Sequence, residues 1–153
     1  MTNPLFYAKI LLFGEYGIIE DSQGLTLPYS FYKGALKFSS LQSDFEKESN
    51  ESLKKYANYL KDLELPDAYT INISALQKDI RKGLFFDSNI PQGYGVGSSG
   101  ALVAAIFERY SIKTYLPEHI SKDELKDLKK IFGQMESYFH GKSSGIDPLI
   151  CYI

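Results

Sequence analysis

Residues 91–101 have the sequence Pro-Gln-Gly-Tyr-Gly-Val-Gly-Ser-Ser-Gly-Ala and lie between a strand-like segment, 83–90, and a helix-like segment, 101–110. The glycines let the backbone adopt positive φ angles and bring bare N–H groups close to a ligand. The helix that follows directs its unpaired N–H groups and its positive dipole end into the same loop. Ordinary turns rarely combine so many glycines with two hydroxyls. We therefore favour an anion site, most readily for a phosphate, over a simple turn.

The segments around this loop predict a chain that mixes strands and helices. A helix over 53–65 that stops at Pro66 follows from its apolar spacing, and Ser121 to Glu124 form a capping box before a second amphipathic helix. Single strands are predicted at 5–13, 69–73, 83–90 and 148–153, and a pair of strands is predicted within 25–41, with a break near Lys33–Gly34. Residues 39–52 are predicted to form a loop, and 75–81 could form a further helix.

Composition narrows the class of protein and its partners. The 153 residues are 44% hydrophobic and carry a net charge of −2, which argues against nucleic acid and acidic membranes as main partners. The single cysteine, Cys151, excludes an internal disulfide and suits a reducing compartment. The N-terminus does not resemble a signal peptide, and no stretch approaches the ~20 apolar residues of a membrane helix. We expect a cytoplasmic protein.

Several polar residues could take part in chemistry beside the loop. Lys9 lies within an apolar strand and is either an edge residue with its head in water or a cation directed at a phosphate or reacting hydroxyl. The loop is not a Walker A loop, because Ser98-Ser99-Gly100 stand where that motif needs its lysine. The two serine hydroxyls could hold a phosphate oxygen or magnesium, and they could cap the helix at the same time.

A second polar cluster follows the capped helix. Glu136 lies at the edge of its apolar stripe and faces either a cleft or solvent, and His140 suits the helix C-terminus. Asp147 follows a Ser-Ser-Gly turn just before the predicted last strand, where a carboxylate can be held rigidly. For each acid alone, a solvated surface position is the simpler interpretation.

Taken together, the three clusters resemble the N-terminal half of GHMP-type small-molecule kinases, with mevalonate kinases most similar. The first motif is the segment from Lys9 through Gly14, Glu15 and Tyr16, the second is 91–101, and the third runs from His140 to Asp147. The resemblance implies an α/β (α+β) fold: a two-layer mixed sheet with helices on one face, the ribosomal protein S5 domain 2-like arrangement. It also implies an ATP- and Mg²⁺-dependent kinase that phosphorylates an alcohol, with mevalonate, an isoprenoid precursor, as the expected substrate.

The resemblance also assigns roles to individual residues. Asp147 would be the catalytic base and Lys9 would stabilise the reacting oxygen, while Ser99 and Glu136 would hold magnesium. The loop would bind ATP, and a further set would approach the substrate. The loop residues are Gly93, Gly95, Val96, Gly97, Ser98, Ser99, Gly100 and Ala101, and the substrate residues are Glu15, Tyr16, His140 and Ser144.

Some features depart from the family pattern and keep alternatives open. Tyr16 is more typical of phosphomevalonate kinases, and Gly100 replaces an alanine, which is expected only to loosen the helix start. The third glycine-rich motif and the C-terminal domain are absent, so we expect residues 1–153 to be an incomplete ATP-binding domain with little activity alone. The unfinished apolar strand at the end predicts self-association, including a homodimer. Another GHMP kinase, or a non-catalytic nucleotide-binding or interaction domain, remains an alternative.

Overall fold

The computed structural model describes residues 3–13, 25–113, 115–116 and 119–153. Within these residues a three-stranded sheet is combined with five α-helices and one short 3₁₀ helix. In chain order they are β1 (Phe6–Phe13), β2 (Leu25–Phe38), α1 (Asp44–Lys61), the 3₁₀ helix (Asp67–Tyr69), α2 (Ile73–Arg81), β3 (Leu84–Ser88), α3 (Ser98–Tyr110), α4 (Lys122–His140) and α5 (Ile146–Tyr152).

The sheet has the order β1-β2-β3, and its described strands pair antiparallel throughout. The predicted break near Lys33–Gly34 is wrong, because β2 is one strand of 14 residues. Gly34 instead marks the place where β2 stops pairing with β1 and begins to pair with β3. The pairing of β1 with β2 has a register shift between Tyr7 and Ala8, close to this change of partner, as at a β-bulge.

Helices pack against the sheet and against one another, which gives the predicted α/β class. α3 contacts β1 and β2, α1 contacts β3, and α5 lies between α3, α4 and β1. The core is formed by apolar side chains from every layer, among them Ala8, Leu84, Phe107, Leu128 and Phe132, all fully buried. Burial of such a continuous apolar cluster is the main stabilising contribution to a fold of this kind.

The N-terminal part of α1 corrects the loop that the sequence predicts at 39–52. Ser43 and Glu46 form a capping box, and the helix begins at Asp44. The Ser49 hydroxyl accepts from the Phe86 N–H at 2.9 Å and donates to the Phe86 carbonyl at 3.1 Å. Buried Asn50 donates to the carbonyls of Ile80 and Leu84. These polar residues therefore attach the helix to β3 and to the end of α2.

The chain between α1 and α2 also differs from the prediction. In place of a strand over 69–73, the structure has the 3₁₀ helix and a single bridge between Ile71 and Ser111. The optional helix at 75–81 is confirmed as α2, which begins after Asn72, whose side chain accepts from the Ala75 N–H.

The last segment is a helix, so the predicted strand at 148–153 is wrong. α5 follows Gly145 and places Pro148 in its first turn, where the missing N–H of proline costs no helical hydrogen bond. Pro148, Leu149 and Tyr152 are buried. The proposed self-association rested on an exposed apolar strand here and loses that support, although it stays a prediction.

Within the described ranges, no helix combines the length and the apolar character that crossing a membrane requires.

Candidate active site

The glycine loop joins β3 to α3 and has the backbone conformation that its sequence predicts. Gly93, Gly95 and Gly97 have φ angles of +80°, +68° and +86°. Gly97 is the N-cap of α3, and no side chain caps the helix there. The Val96 carbonyl accepts from the Lys9 N–H at 3.0 Å, so the loop is attached to β1. The first turn of α3 thus presents its N–H groups toward the loop.

A groove of about 750 Å³ opens beside the loop. One wall is the face of α1 that carries Phe45, Glu48 and Ser52, and β3 contributes Phe86 and Ser88. The remaining lining includes loop residues Gly93, Gly95, Val96, Gly97, Ser98 and Ser99, together with Phe139, His140 and Asp147. A volume of this size is typical of sites that bind small molecules or cofactors.

Lys9 and Asp147 form an ion pair behind the loop, with 2.8 Å between Lys9 Nζ and Asp147 Oδ1. The Lys9 side chain is 6% exposed, whereas that of Asp147 is 35% exposed and reaches the groove. Of the two interpretations of Lys9, an edge residue with its head in water is therefore wrong. β1 and α5 supply one partner each, so the pair exists only when both elements pack together.

Ser99, Glu136 and His140 form a second polar group at the same end of the groove. Ser99 Oγ donates to Glu136 Oε1 at 2.8 Å and lies 3.0 Å from His140 Nε2. Because a hydroxyl has one proton, the His140 ring donates to Ser99 in this arrangement. Glu136 is 3% exposed, which excludes the solvated position that its sequence context allowed. The Ser99 side chain bonds to α4 and does not cap α3.

The environment of Glu136 fits a hard cation. Burial raises the pKa of the Glu136 carboxyl, and hydrogen bonds from Ser143 and Ser99 partly offset that rise. Hydroxyl and carboxylate oxygens are ligands that Mg²⁺ prefers, and it is commonly held by one or two carboxylates plus substrate phosphates. The described ranges hold no group of three or more His, Cys, Asp or Glu residues suited to a metal. A cation here would therefore need oxygens from a nucleotide.

Ser143 is a site residue that the sequence analysis did not select. Its hydroxyl donates to Glu136 Oε2 at 2.5 Å and accepts from the Gly145 N–H at 3.1 Å. Neighbouring Ser144 is exposed and accepts from the Ile146 N–H at 3.4 Å. The sequence feature that could have pointed to Ser143 is the Gly-Lys-Ser run at 141–143. This run resembles the end of a Walker motif but lacks the glycine loop that precedes it there.

Gly100 has a packing role beyond the expected loosening of the helix start. A Cβ atom at this position would lie 2.9 Å from the Asp147 carbonyl carbon and from the Pro148 nitrogen. These are backbone atoms, so α5 could not keep its present distance from α3 if residue 100 were alanine. The glycine is therefore what brings the Asp147 backbone against the helix that follows the phosphate loop.

We expect Gly100→Ala to lower the free energy of unfolding by about 1 kcal/mol. Overpacking costs about 1–3 kcal/mol, and the higher helix propensity of alanine offsets about 1 kcal/mol of that cost. Urea denaturation measures the change. A variant more stable than the wild type would show that α5 does not lie this close to α3.

The structure brings most of the predicted site residues to one end of the groove. Ser98, Ser99, His140 and Asp147 line it, and Lys9 and Glu136 lie directly behind. Ala101 is fully buried, and its N–H donates to the Gly97 carbonyl at 2.9 Å. Two of the predicted substrate residues, Glu15 and Tyr16, lie outside the described residues.

The fold and the glycine loop define an α/β domain with a loop suited to an anion, and comparison with known families makes the class more specific. The family model for the GHMP kinases N terminal domain matches residues 53–153, which is more than half of the chain. The matched range includes Ser99, Glu136 and Asp147, whereas Lys9 precedes it. Searches of curated proteins and of solved structures gave no match.

The chain therefore belongs to the GHMP kinase family, a family of kinase-type enzymes. ATP is the phosphoryl donor that these kinases generally use.

Proposed function

We propose that this protein transfers the γ-phosphoryl group of ATP to the hydroxyl of a small alcohol, with Mg²⁺ as cofactor and mevalonate as the favoured substrate. The observation that carries the proposal is the convergence of two polar groups at one end of the groove. The Lys9–Asp147 pair supplies a cation and a carboxylate, and Ser99 with Glu136 supplies oxygen ligands beside the phosphate loop.

Asp147 is suited to the role of general base. Its carboxylate lines the groove and stays 35% exposed, so a bound hydroxyl can approach it directly. Lys9 holds Oδ1 at 2.8 Å and keeps the carboxylate in a fixed orientation. If a substrate hydroxyl binds at Asp147, the same ammonium would stabilise the negative charge that develops on the reacting oxygen.

The glycine loop and the first turn of α3 would hold the phosphates of the nucleotide through backbone N–H groups. Ser99 Oγ and Glu136 Oε1 would hold the cation, since they are adjacent hard oxygen donors beside that turn. When bound, Mg²⁺ supplies charge neutralisation on the phosphate oxygens. His140 would keep the Ser99 hydroxyl oriented through their 3.0 Å contact.

The rest of the groove has room for the nucleoside. Phe45, Glu48 and Ser52 follow one another on the same face of α1 and extend the groove about 10 Å along the helix axis. Phe45, which is 49% exposed, would provide apolar area for a planar base, while the polar groups beside the glycine loop would attract phosphates.

Binding of magnesium–ATP tests the nucleotide part of this proposal. We expect calorimetry to show that Mg²⁺ increases the affinity of the wild type for ATP. In Ser99→Ala this increase should be at least about tenfold smaller, because one proposed ligand of the cation is removed. Ser111→Ala, at the other end of the same helix, serves as the control and should bind like the wild type. A folded wild-type protein that binds no magnesium–ATP would contradict the proposal and favour a non-catalytic interaction domain.

The substrate is tested by ADP formation in the complete protein with mevalonate or phosphomevalonate. The His140–Gly141 and Ser144–Asp147 segments favour mevalonate, whereas Tyr16 favours phosphomevalonate. Turnover with phosphomevalonate alone would reject mevalonate but keep the kinase assignment. Asp147→Asn should lower either activity without preventing nucleotide binding, because the proposed base acts on the alcohol and is not among the groups proposed to hold the nucleotide.

A further inference from the structure

Each oxygen of the buried Glu136 carboxylate accepts one hydroxyl hydrogen bond, and the two hydroxyls come from different elements. Ser99 of α3 donates to Oε1, and Ser143 of the turn after α4 donates to Oε2. A terminal carboxylate otherwise rotates freely, since the torsion that sets its plane is broad. Two donors on opposite oxygens therefore fix the plane of this carboxylate.

The Ser143 hydroxyl has a second partner that links Glu136 to the segment carrying Asp147. It accepts from the Gly145 N–H at 3.1 Å, and Gly145 is the N-cap of α5. The turn is also packed closely on α4, because a Cβ at Gly133 would lie 3.0 Å from the Ser143 carbonyl oxygen. One hydroxyl thus connects the carboxylate of α4 with the start of α5.

We propose that Ser143 is a positioning residue that fixes the Glu136 carboxylate so that Oε1 stays beside Ser99, where the divalent cation of the nucleotide complex binds. This inference rests on the proposed function. Ser143 does not touch the nucleotide in this arrangement; it acts through Glu136. Outer hydrogen-bond partners of this kind typically change metal affinity by about 10–100-fold when they are removed.

The test measures binding of Mn²⁺, as a paramagnetic probe for Mg²⁺, to the protein with a non-hydrolysable ATP analogue. Free Mn²⁺ is followed by electron paramagnetic resonance. We expect Ser143→Ala to weaken Mn²⁺ binding about tenfold and Ser143→Thr, which keeps the hydroxyl, to bind like the wild type. Binding of the analogue without metal should be unchanged in both variants.

Ser137→Ala is the matched control, because Ser137 lies on α4 next to Glu136 but its hydroxyl donates to the Gly133 carbonyl and not to Glu136. If Ser143→Ala does not fold, Ser143→Cys replaces it. Because a thiol is only a weak hydrogen-bond donor to Glu136, the Ser143→Cys variant should bind Mn²⁺ less tightly than Ser143→Thr.

The outcomes separate this inference from the proposed function. Wild-type-like Mn²⁺ affinity in the folded Ala or Cys variant would overturn the role of Ser143 and leave the kinase proposal standing. Absence of Mn²⁺–nucleotide binding in the wild type would overturn both. Equal losses of affinity in Ser143→Thr and Ser143→Ala would show that the hydroxyl is not what matters and would also overturn the inference.

Discussion

Asp147→Ala is expected to lower phosphoryl transfer by about 10²–10⁴-fold and to destabilise the protein by about 3 kcal/mol. The activity falls because the proposed general base is removed. The stability falls because Lys9, whose side chain is 6% exposed, loses its 2.8 Å partner and keeps an uncompensated charge. We take the lower end of the usual range for broken buried pairs because Asp147 itself is 35% exposed.

A second substitution separates the two effects. Lys9→Met combined with Asp147→Ala removes both charges, so most of the lost stability should return while activity stays low. Urea denaturation measures stability and ADP formation measures activity. A double variant no more stable than Asp147→Ala would contradict the view that the unpaired Lys9 charge causes the loss.

An exposed ion pair of the same chemistry is the matched control. Lys37 Nζ lies 2.6 Å from Asp87 Oδ2, and both side chains are more than 40% exposed. Asp87→Ala should cost less than about 1 kcal/mol, since solvent screens such pairs. Similar losses in Asp87→Ala and Asp147→Ala would show that burial of Lys9 has no special effect.

Gly145→Ala is expected to destabilise the protein by about 4 kcal/mol or more, among the largest effects of single substitutions. Gly145 has φ +75°, and an added Cβ would lie 1.8 Å from the Lys129 carbonyl oxygen and 2.6 Å from the Gly133 nitrogen. Both are backbone atoms of α4, so the turn before α5 must move. Ser143, which bonds to both the Gly145 N–H and the Glu136 carboxylate, would move with the turn, so magnesium–ATP binding should weaken as well.

Gly141→Ala provides the control for backbone strain alone. Gly141 has φ +72°, but no atom lies within 4 Å of an added Cβ. Its cost should be about 2 kcal/mol, the usual range for an unfavourable backbone conformation. Thermal and urea unfolding compare the two variants. Equal losses would contradict a steric role for the α4–α5 contact.

The sequence predicted best those elements whose signals are local. The capping box at Ser121 and the apolar stripe predicted α4, and the segment 83–90 predicted β3. The helix predicted over 101–110 exists as α3, but it begins at Ser98, within the glycine-rich stretch. The predicted start of α1, at residue 53, was too late, although Ser43 and Glu46 form the same capping pattern before Asp44. The reason is physical: Ser49 and Asn50 are polar yet inward-facing, because they bond to β3 and α2, and they hide the apolar period of the helix.

In the last segment the local sequence pattern did not distinguish a strand from a helix. Residues 149–153 are a short apolar run, which suits a buried strand or a buried helix equally well. Contact with α3 and α4 decided between them, since the preceding Gly145 turn directs the chain across both helices.

By itself the sequence determined the glycine loop, the mixture of strands and helices and the residue types that the proposed phosphoryl transfer needs, because backbone freedom and local periodicity depend on neighbouring residues. Only the tertiary structure decided which residues meet. It paired Lys9 with Asp147 across most of the chain length and buried Glu136 between Ser99 and Ser143. Such contacts depend on how closely α5 packs against α3 and α4, and Gly100 and Gly145 permit that approach without changing any local pattern.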